Sequence, residues 1–120
     1  MANAKDSLAT AMTIDGAVAV ILADYSTGMV LGQAGGGGLN LDIAAAGNTE
    51  VIKSKMKVMA ALGLKDTIED MLITLGTQFH IIRPMATKPG LFLYIALDKS
   101  KANLAMARYK LAEIEAALSL

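Results

Sequence analysis

Two stretches of the chain are apolar at every position, Ala17 to Ala23 and Leu91 to Leu97. A strand wet on one face alternates apolar with polar residues, and these do not. They therefore read as strands covered on both faces, at the centre of a sheet. Asp24-Tyr25-Ser26-Thr27-Gly28 turns the chain after the first run, and Met29 to Gly32 reads as its antiparallel partner, because so short a connection allows only a hairpin. Ile68 to Leu75, a tight turn at Gly76-Thr77, and Gln78 to Pro84 give a second hairpin. Ala86 to Gly90 then turns the chain into the second apolar run. Helical spacing marks the rest. Leu8, Ala11 and Met12 place a helix over Ala4 to Met12 with Asn3 as its cap, and Leu41 to Leu62 forms a long helix ending before Gly63. From Ser100 onward Leu104, Ala107, Leu111, Ile114 and Leu118 repeat at helical intervals.

The order is helix, strand, strand, helix, strand, strand, strand, helix. Both faces of the two central strands need cover, so the pattern predicts an α/β (α+β) fold: a three-layer α/β/α sandwich around a five-stranded antiparallel sheet. The long middle helix covers one face and the terminal helices the other. Segments 29–32 and 68–75 become the edges. Gly35 to Gly38 reads as a loop. Within the middle helix, Val51, Ile52, Met56 and Met59 form the expected apolar stripe. Gly47, beside Ala44 to Ala46, signals that something packs close to the backbone there.

Composition sharpens this picture. The 120 residues suit one domain spanning 1–120. Apolar residues make up 54% and charged ones 18%, below the usual ~25%, which implies apolar surface beyond one core and hence a subunit interface. Met71-Leu72-Ile73-Thr74-Leu75 supplies one: a long apolar edge that a second copy of the chain would close by two-fold symmetry. Lys+Arg and Asp+Glu both number 11, leaving no net field to hold nucleic acid. The longest apolar run, bounded by Asp15 and Asp24, is too short for membrane insertion or a signal segment, so the expectation is a cytoplasmic protein.

Candidate chemistry is sparse. Gly38 is followed by Leu39-Asn40-Leu41 rather than the Lys and hydroxyl of a phosphate-binding loop. His80, the single histidine, shares a strand face with Gln78 and Ile82 and reads as a half-buried sheet residue with a hydrogen-bond partner rather than a catalytic base. No metal-ligand spacing occurs and there is no cysteine. Glu69 and Asp70, adjacent in a strand, point to opposite faces and serve to keep an edge soluble. No catalytic residue and no cofactor are therefore expected. Glu50, Lys53 and Lys57 share one face of the middle helix, where a charged docking surface is the functional reading.

Several strings, in this order and spacing, resemble a known family: Ala11-Met12-Thr13-Ile14-Asp15-Gly16, Ser26-Thr27-Gly28-Met29, Ala44-Ala45-Ala46-Gly47-Asn48-Thr49-Glu50-Val51, Ile68-Glu69-Asp70-Met71-Leu72-Ile73-Thr74, Gln78-Phe79-His80-Ile81-Ile82-Arg83-Pro84, and Asn103-Leu104-Ala105-Met106-Ala107-Arg108. Over residues 7 to 118 the chain resembles a bacterial member of the roadblock/LC7 family. That resemblance implies a homodimer built from the 68–75 edge and the middle helix, with Ala44, Gly47, Asn48, Val51, Met71, Leu72, Ile73 and Thr74 at the interface. It also implies a small Ras-like GTPase as partner, served by a scaffold or an activator, with Glu50, Lys53 and Lys57 as the docking residues. The family stimulates hydrolysis through no recognisable motif. A second expectation is a small-ligand sensor of the profilin or PAS type, with a pocket framed by Gly32 and the glycine-rich loop.

Overall fold

In a computed structural model, residues 2–36 and 38–120 are described. They form three helices and five strands: α1 (Ala4–Ala11), β1 (Ala17–Asp24), β2 (Val30–Gly35), α2 (Leu41–Ala61), β3 (Met71–Thr74), β4 (Gln78–Pro84), β5 (Leu91–Asp98) and α3 (Leu104–Ala117). The strands make one antiparallel sheet in the order β2-β1-β5-β4-β3. The two uninterrupted apolar runs are adjacent at its centre, with Val20 opposite Ile95 and Leu22 opposite Leu93.

The alternation of side chains across β1 and β5 divides the core in two. Ala19, Ile21 and Ala23 with Phe92, Tyr94 and Ala96 face α2, where Leu41, Ala45 and Ile52 meet them. Val20 and Leu22 with Leu93, Ile95 and Leu97 face the terminal helices, packing on Leu8, Ala11, Ala107, Leu111 and Ile114. Each apolar side chain removed from water in these layers contributes about 1.5–3 kcal/mol. Each helix starts on an asparagine. The side chains of Asn3, Asn40 and Asn103 accept from the backbone N–H groups of Asp6, Ile43 and Met106, satisfying a donor that the helix itself leaves open.

Several boundaries differ from the sequence reading. β2 runs on to Gly35, which was expected in the loop. This glycine sits at φ +73°, and a Cβ there would collide with the Val18 carbonyl oxygen. The rest of the expected loop holds at Gly36 and Gly38, while Gly37 lies outside the described residues. β3 covers only Met71–Thr74, because Asp70 is drawn out of strand register by a bidentate ion pair with Arg108 at 2.7 and 3.0 Å. Glu69 and Asp70 are thus not a strand pair on opposite faces: Asp70 ties the edge to α3, and Glu69 is exposed. α3 begins at Leu104, since Asp98 accepts from the Ser100 backbone and hydroxyl in a turn that Asn103 then caps. Those bonds hold the Asp98 carboxyl below its usual range.

Candidate interaction surface

A 21-residue helix lying on a sheet has only one face in the core, and the other faces are what this helix offers to partners. Leu41, Ala45, Thr49 and Ile52 are buried, with Met56 and Met59 half-buried in the same stripe. The Thr49 hydroxyl donates to the Ala45 carbonyl at 2.8 Å, so this buried polar group is satisfied within the helix. Val51, expected in that stripe, is 38% exposed instead. At 100° per residue it falls a quarter turn away from Ile52, in line with Ala44, Gly47, Asn48, Lys55 and Val58.

That flank faces the β3 edge. Glu50, Val51, Ser54, Lys55 and Val58 line a shallow groove with Met71. Met71 and Ile73 stand opposite Ile82 and His80 on the α2 side of the sheet, and Leu72 opposite Ile81 on the α3 side. β3 pairs only with β4, so among the described residues the outer ladder of Met71–Thr74 has no partner. Leu72, Ile73 and Leu75 stay 41%, 36% and 42% exposed. Of the residues named from sequence as interface, Val51 and Met71 meet in this groove, whereas Leu72 lies on the opposite, α3 side of the sheet. Val58 and Lys55, which extend the groove, were missed; Val58 follows Val51 by seven residues, and this was the available signal. Among the described residues nothing packs on Gly47: a Cβ there would meet open space.

Lys53 and Lys57 lie on a different, outward face of α2, Glu50 stands between that face and the groove, which it lines, and all three are exposed. Lys53 reaches the turn between β1 and β2, its Nζ lying 3.4 Å from the Ser26 carbonyl oxygen. In that turn the Ser26 hydroxyl and backbone N–H donate to Asp24 at 2.6 and 2.7 Å, and these bonds hold the Asp24 carboxyl below its ordinary value. Gly28 brings the turn against Ala46 and Thr49, beside the exposed Met29 and Ile43.

Two polar clusters lie apart from these surfaces. His80 sits half-buried on β4, with Nε2 2.8 Å from Gln78 Oε1 and Nδ1 3.1 Å from the Tyr94 hydroxyl, so both ring nitrogens are engaged. Burial pushes the His80 pKa down and that of Tyr94 up. The expected partnered sheet histidine is what the geometry gives. Sequence reasoning missed the second cluster. Glu115 is 3% exposed on α3 and accepts from Arg83 Nε at 2.7 Å, Thr87 N at 3.1 Å and Thr87 Oγ1 at 2.9 Å. Burial pushes its carboxyl up, but the bonds from the Thr87 backbone, Arg83 and the Thr87 hydroxyl together outweigh it and bring the pKa below the ordinary value. A carboxylate next to Ile114, within the apolar stripe of α3, was the readable hint. Gly32, expected to frame a ligand pocket, lies under α1, where a Cβ would come within 2.7 Å of Leu8 Cδ1.

Comparison of the whole chain with solved structures decides the fold. The chain superposes on a roadblock/LC7 domain from Streptomyces avermitilis with a TM-score of 0.81, at 12% identity, over 97% of this chain and 94% of that one. This is the roadblock/LC7 fold. Myxococcus xanthus MglB shares the roadblock fold at a TM-score of 0.79 and 12% identity, covering 94% of this chain and 91% of that chain. An MglB structure with a tetrameric arrangement matches at 0.79 and 15% identity, covering 94% and 82%. No protein-family model and no curated protein matches the sequence. In the roadblock frame, the strip formed by α2 and β3 is one edge of the sheet together with the helix beside it; Lys53 and Lys57 lie outside that strip, and Glu50 borders it.

Proposed function

We propose that this chain is a non-enzymatic regulator that forms a homodimer through β3 and the flank of α2, and that the dimer docks a small Ras-like GTPase in the bacterial cytoplasm. The observation that carries the dimer is the continuity of an unpaired apolar strand edge with a helix flank of small and apolar residues. Pairing Met71–Thr74 with its own copy would complete both ladders, and Ala44, Gly47, Asn48 and Val51 would let the two α2 helices approach closely. The tetrameric arrangement of an MglB that shares the fold supports self-association. The GTPase partner rests on the sequence resemblance to bacterial roadblock proteins and on the outward charged face. Dimerisation through the α2 flank would leave Lys53 and Lys57 free, with Glu50 at the border of the interface, so both subunits would contribute to one docking surface. Among the described residues no helix is long and apolar enough to cross a membrane.

Light scattering on the purified chain tests the first half, with a dimer expected at micromolar concentration and a monomer refuting it. Immobilised protein challenged with native lysate tests the second. A small GTPase, identified by mass spectrometry, is the expected retained species, and its absence in both nucleotide states refutes the assignment. Single-turnover GTP hydrolysis by the retained GTPase, with and without the dimer, then separates activator from scaffold.

A further inference from the structure

We infer that the cleft at the end of the sheet where β1 and β4 run out between α2 and α3 binds a small, neutral, mainly apolar molecule through a carbonyl oxygen, such as a fatty-acid amide or ester. The cleft holds about 810 Å³, within the range of small-molecule sites. Its apolar wall comes from Met56 and Met59 on α2, Leu64 and Ile68 in the segment after it, and Met85 after β4. Unbranched thioethers from separate elements adapt to an irregular apolar body. The frame around them is held firmly. Both prolines of the chain, Pro84 and Pro89, line the cleft, and between them Thr87 is tied to Glu115 by two hydrogen bonds. The segment from α2 to β3 is anchored at its far end by the bidentate pair of Asp70 with Arg108.

Arg83 supplies the polar anchor. It donates through Nε to the buried Glu115 carboxylate at 2.7 Å, and a planar guanidinium held there keeps its remaining N–H groups in a fixed fork. Its two Nη groups bond to nothing among the described residues, yet they are not buried, because Ser7 Oγ is the sole buried side-chain polar atom described without a partner. Arg83 lines the cleft and its side chain is 21% exposed, so these donors are reachable from the cleft. Charge then selects the ligand. Asp66, Glu69 and Glu115 line the same space against one guanidinium, so an anion meets net repulsion. A cation finds no open acceptor inside: Glu115 already accepts three hydrogen bonds, and Asp66 and Glu69 are exposed to water. A neutral carbonyl takes up the free Nη donors without adding charge, while its apolar body meets the methionines.

The test is NMR of the methionine methyl groups in the purified chain, titrated with N-methylhexanamide, beside hexyl methyl ether, which lacks the carbonyl, and hexanoate, which is charged. Saturable shifts of Met56, Met59 and Met85 are expected at millimolar concentration or below with the amide, while Met12, Met29 and Met106, which lie outside the cleft, stay unshifted. The ether and hexanoate are expected to bind about tenfold more weakly or worse. Arg83→Lys keeps a cation for Glu115 but loses the fork of donors, and is expected to remove the preference for the amide over the ether. Ala112→Leu fills the cleft from α3 and is expected to weaken the amide about tenfold with the thermal melt preserved. Absence of saturable shifts at the three methionines, equal affinity for amide and ether, or tighter binding of hexanoate in the wild type overturns the proposal, as does an Arg83→Lys protein that melts like the wild type and keeps the preference.

Discussion

Replacing Glu115 with Gln removes a charge from the most enclosed polar cluster of the fold while keeping its shape. The carboxylate accepts three hydrogen bonds and is 4% exposed, whereas the Arg83 side chain is 21% exposed and Thr87 lies at the surface. Removing one partner of a fully buried ion pair costs about 3–5 kcal/mol. Here Arg83 and Thr87 both regain some water, and the amide oxygen retains one acceptor, so the expected loss is about 2 kcal/mol. For a chain of this size that lowers the melting temperature by roughly 8 °C. The pH dependence carries the sharper test. The Glu115 pKa is lowered by folding, so the folded state binds this proton less readily than the unfolded chain. The stabilisation is therefore complete above the ordinary carboxyl value of 4.5 and disappears as pH falls through the lower folded value. Urea unfolding followed by circular dichroism, at one fixed protein concentration and from pH 7 down to acid, should show the two proteins converging only below about pH 4.5. A difference under about 0.5 kcal/mol at pH 7, or one constant across the range, would refute the account of this cluster.

Four further outcomes follow from the geometry. Val51→Glu would place an unpaired carboxylate in both halves of the proposed symmetric interface and should weaken the proposed dimer about a hundredfold or more, measured by sedimentation, with the monomer still folded. Reversing Lys53 and Lys57 together to Glu should slow association with the GTPase and change its salt dependence in binding kinetics, leaving the thermal melt intact. Gly35→Ala forces a side chain into a left-handed conformation against the Val18 carbonyl and should cost about 2 kcal/mol or more in denaturant unfolding. Because burial lowers the His80 pKa, the wild type should lose stability as pH falls below its ordinary 6.5, and His80→Gln should flatten that slope.

The central sheet was legible because β1 and β5 are apolar without interruption, and no other arrangement buries both faces of both strands. The helix start at Asn3 was equally readable, since a cap is a local matter, whereas the Asn40 cap of α2 went unread. What escaped the sequence was decided at a distance. Asp70 leaves the strand because Arg108, thirty-eight positions later, holds it. Gly35 joins β2 because the neighbouring strand comes too close for any side chain. Val51 was assigned to the core because periodicity fixes the width of an apolar stripe only to within about one residue on either side. The excess of apolar residues over the needs of one core shows as exposed apolar side chains, Leu72, Ile73 and Leu75 among them. The Glu115 cluster joins three separate segments, β4, the turn after it and α3, and no local pattern announces such a meeting.

The position of β5 between β1 and β4 sets the order in which the chain finishes folding. During synthesis the β1–β2 hairpin is complete some fifty-five residues ahead of the strand that pairs with the other side of β1. Until Leu91–Asp98 leaves the ribosome, Val20 to Ala23 present an open ladder flanked by apolar side chains, with only α1 and α2 to shield them. Closing so long a loop is slow, and an uncovered central strand is the most aggregation-prone surface that a nascent chain of this topology displays. Expression temperature and chaperone supply should therefore govern the yield of this protein more than its final stability does, and truncation ahead of residue 91 should give insoluble material rather than a smaller folded unit.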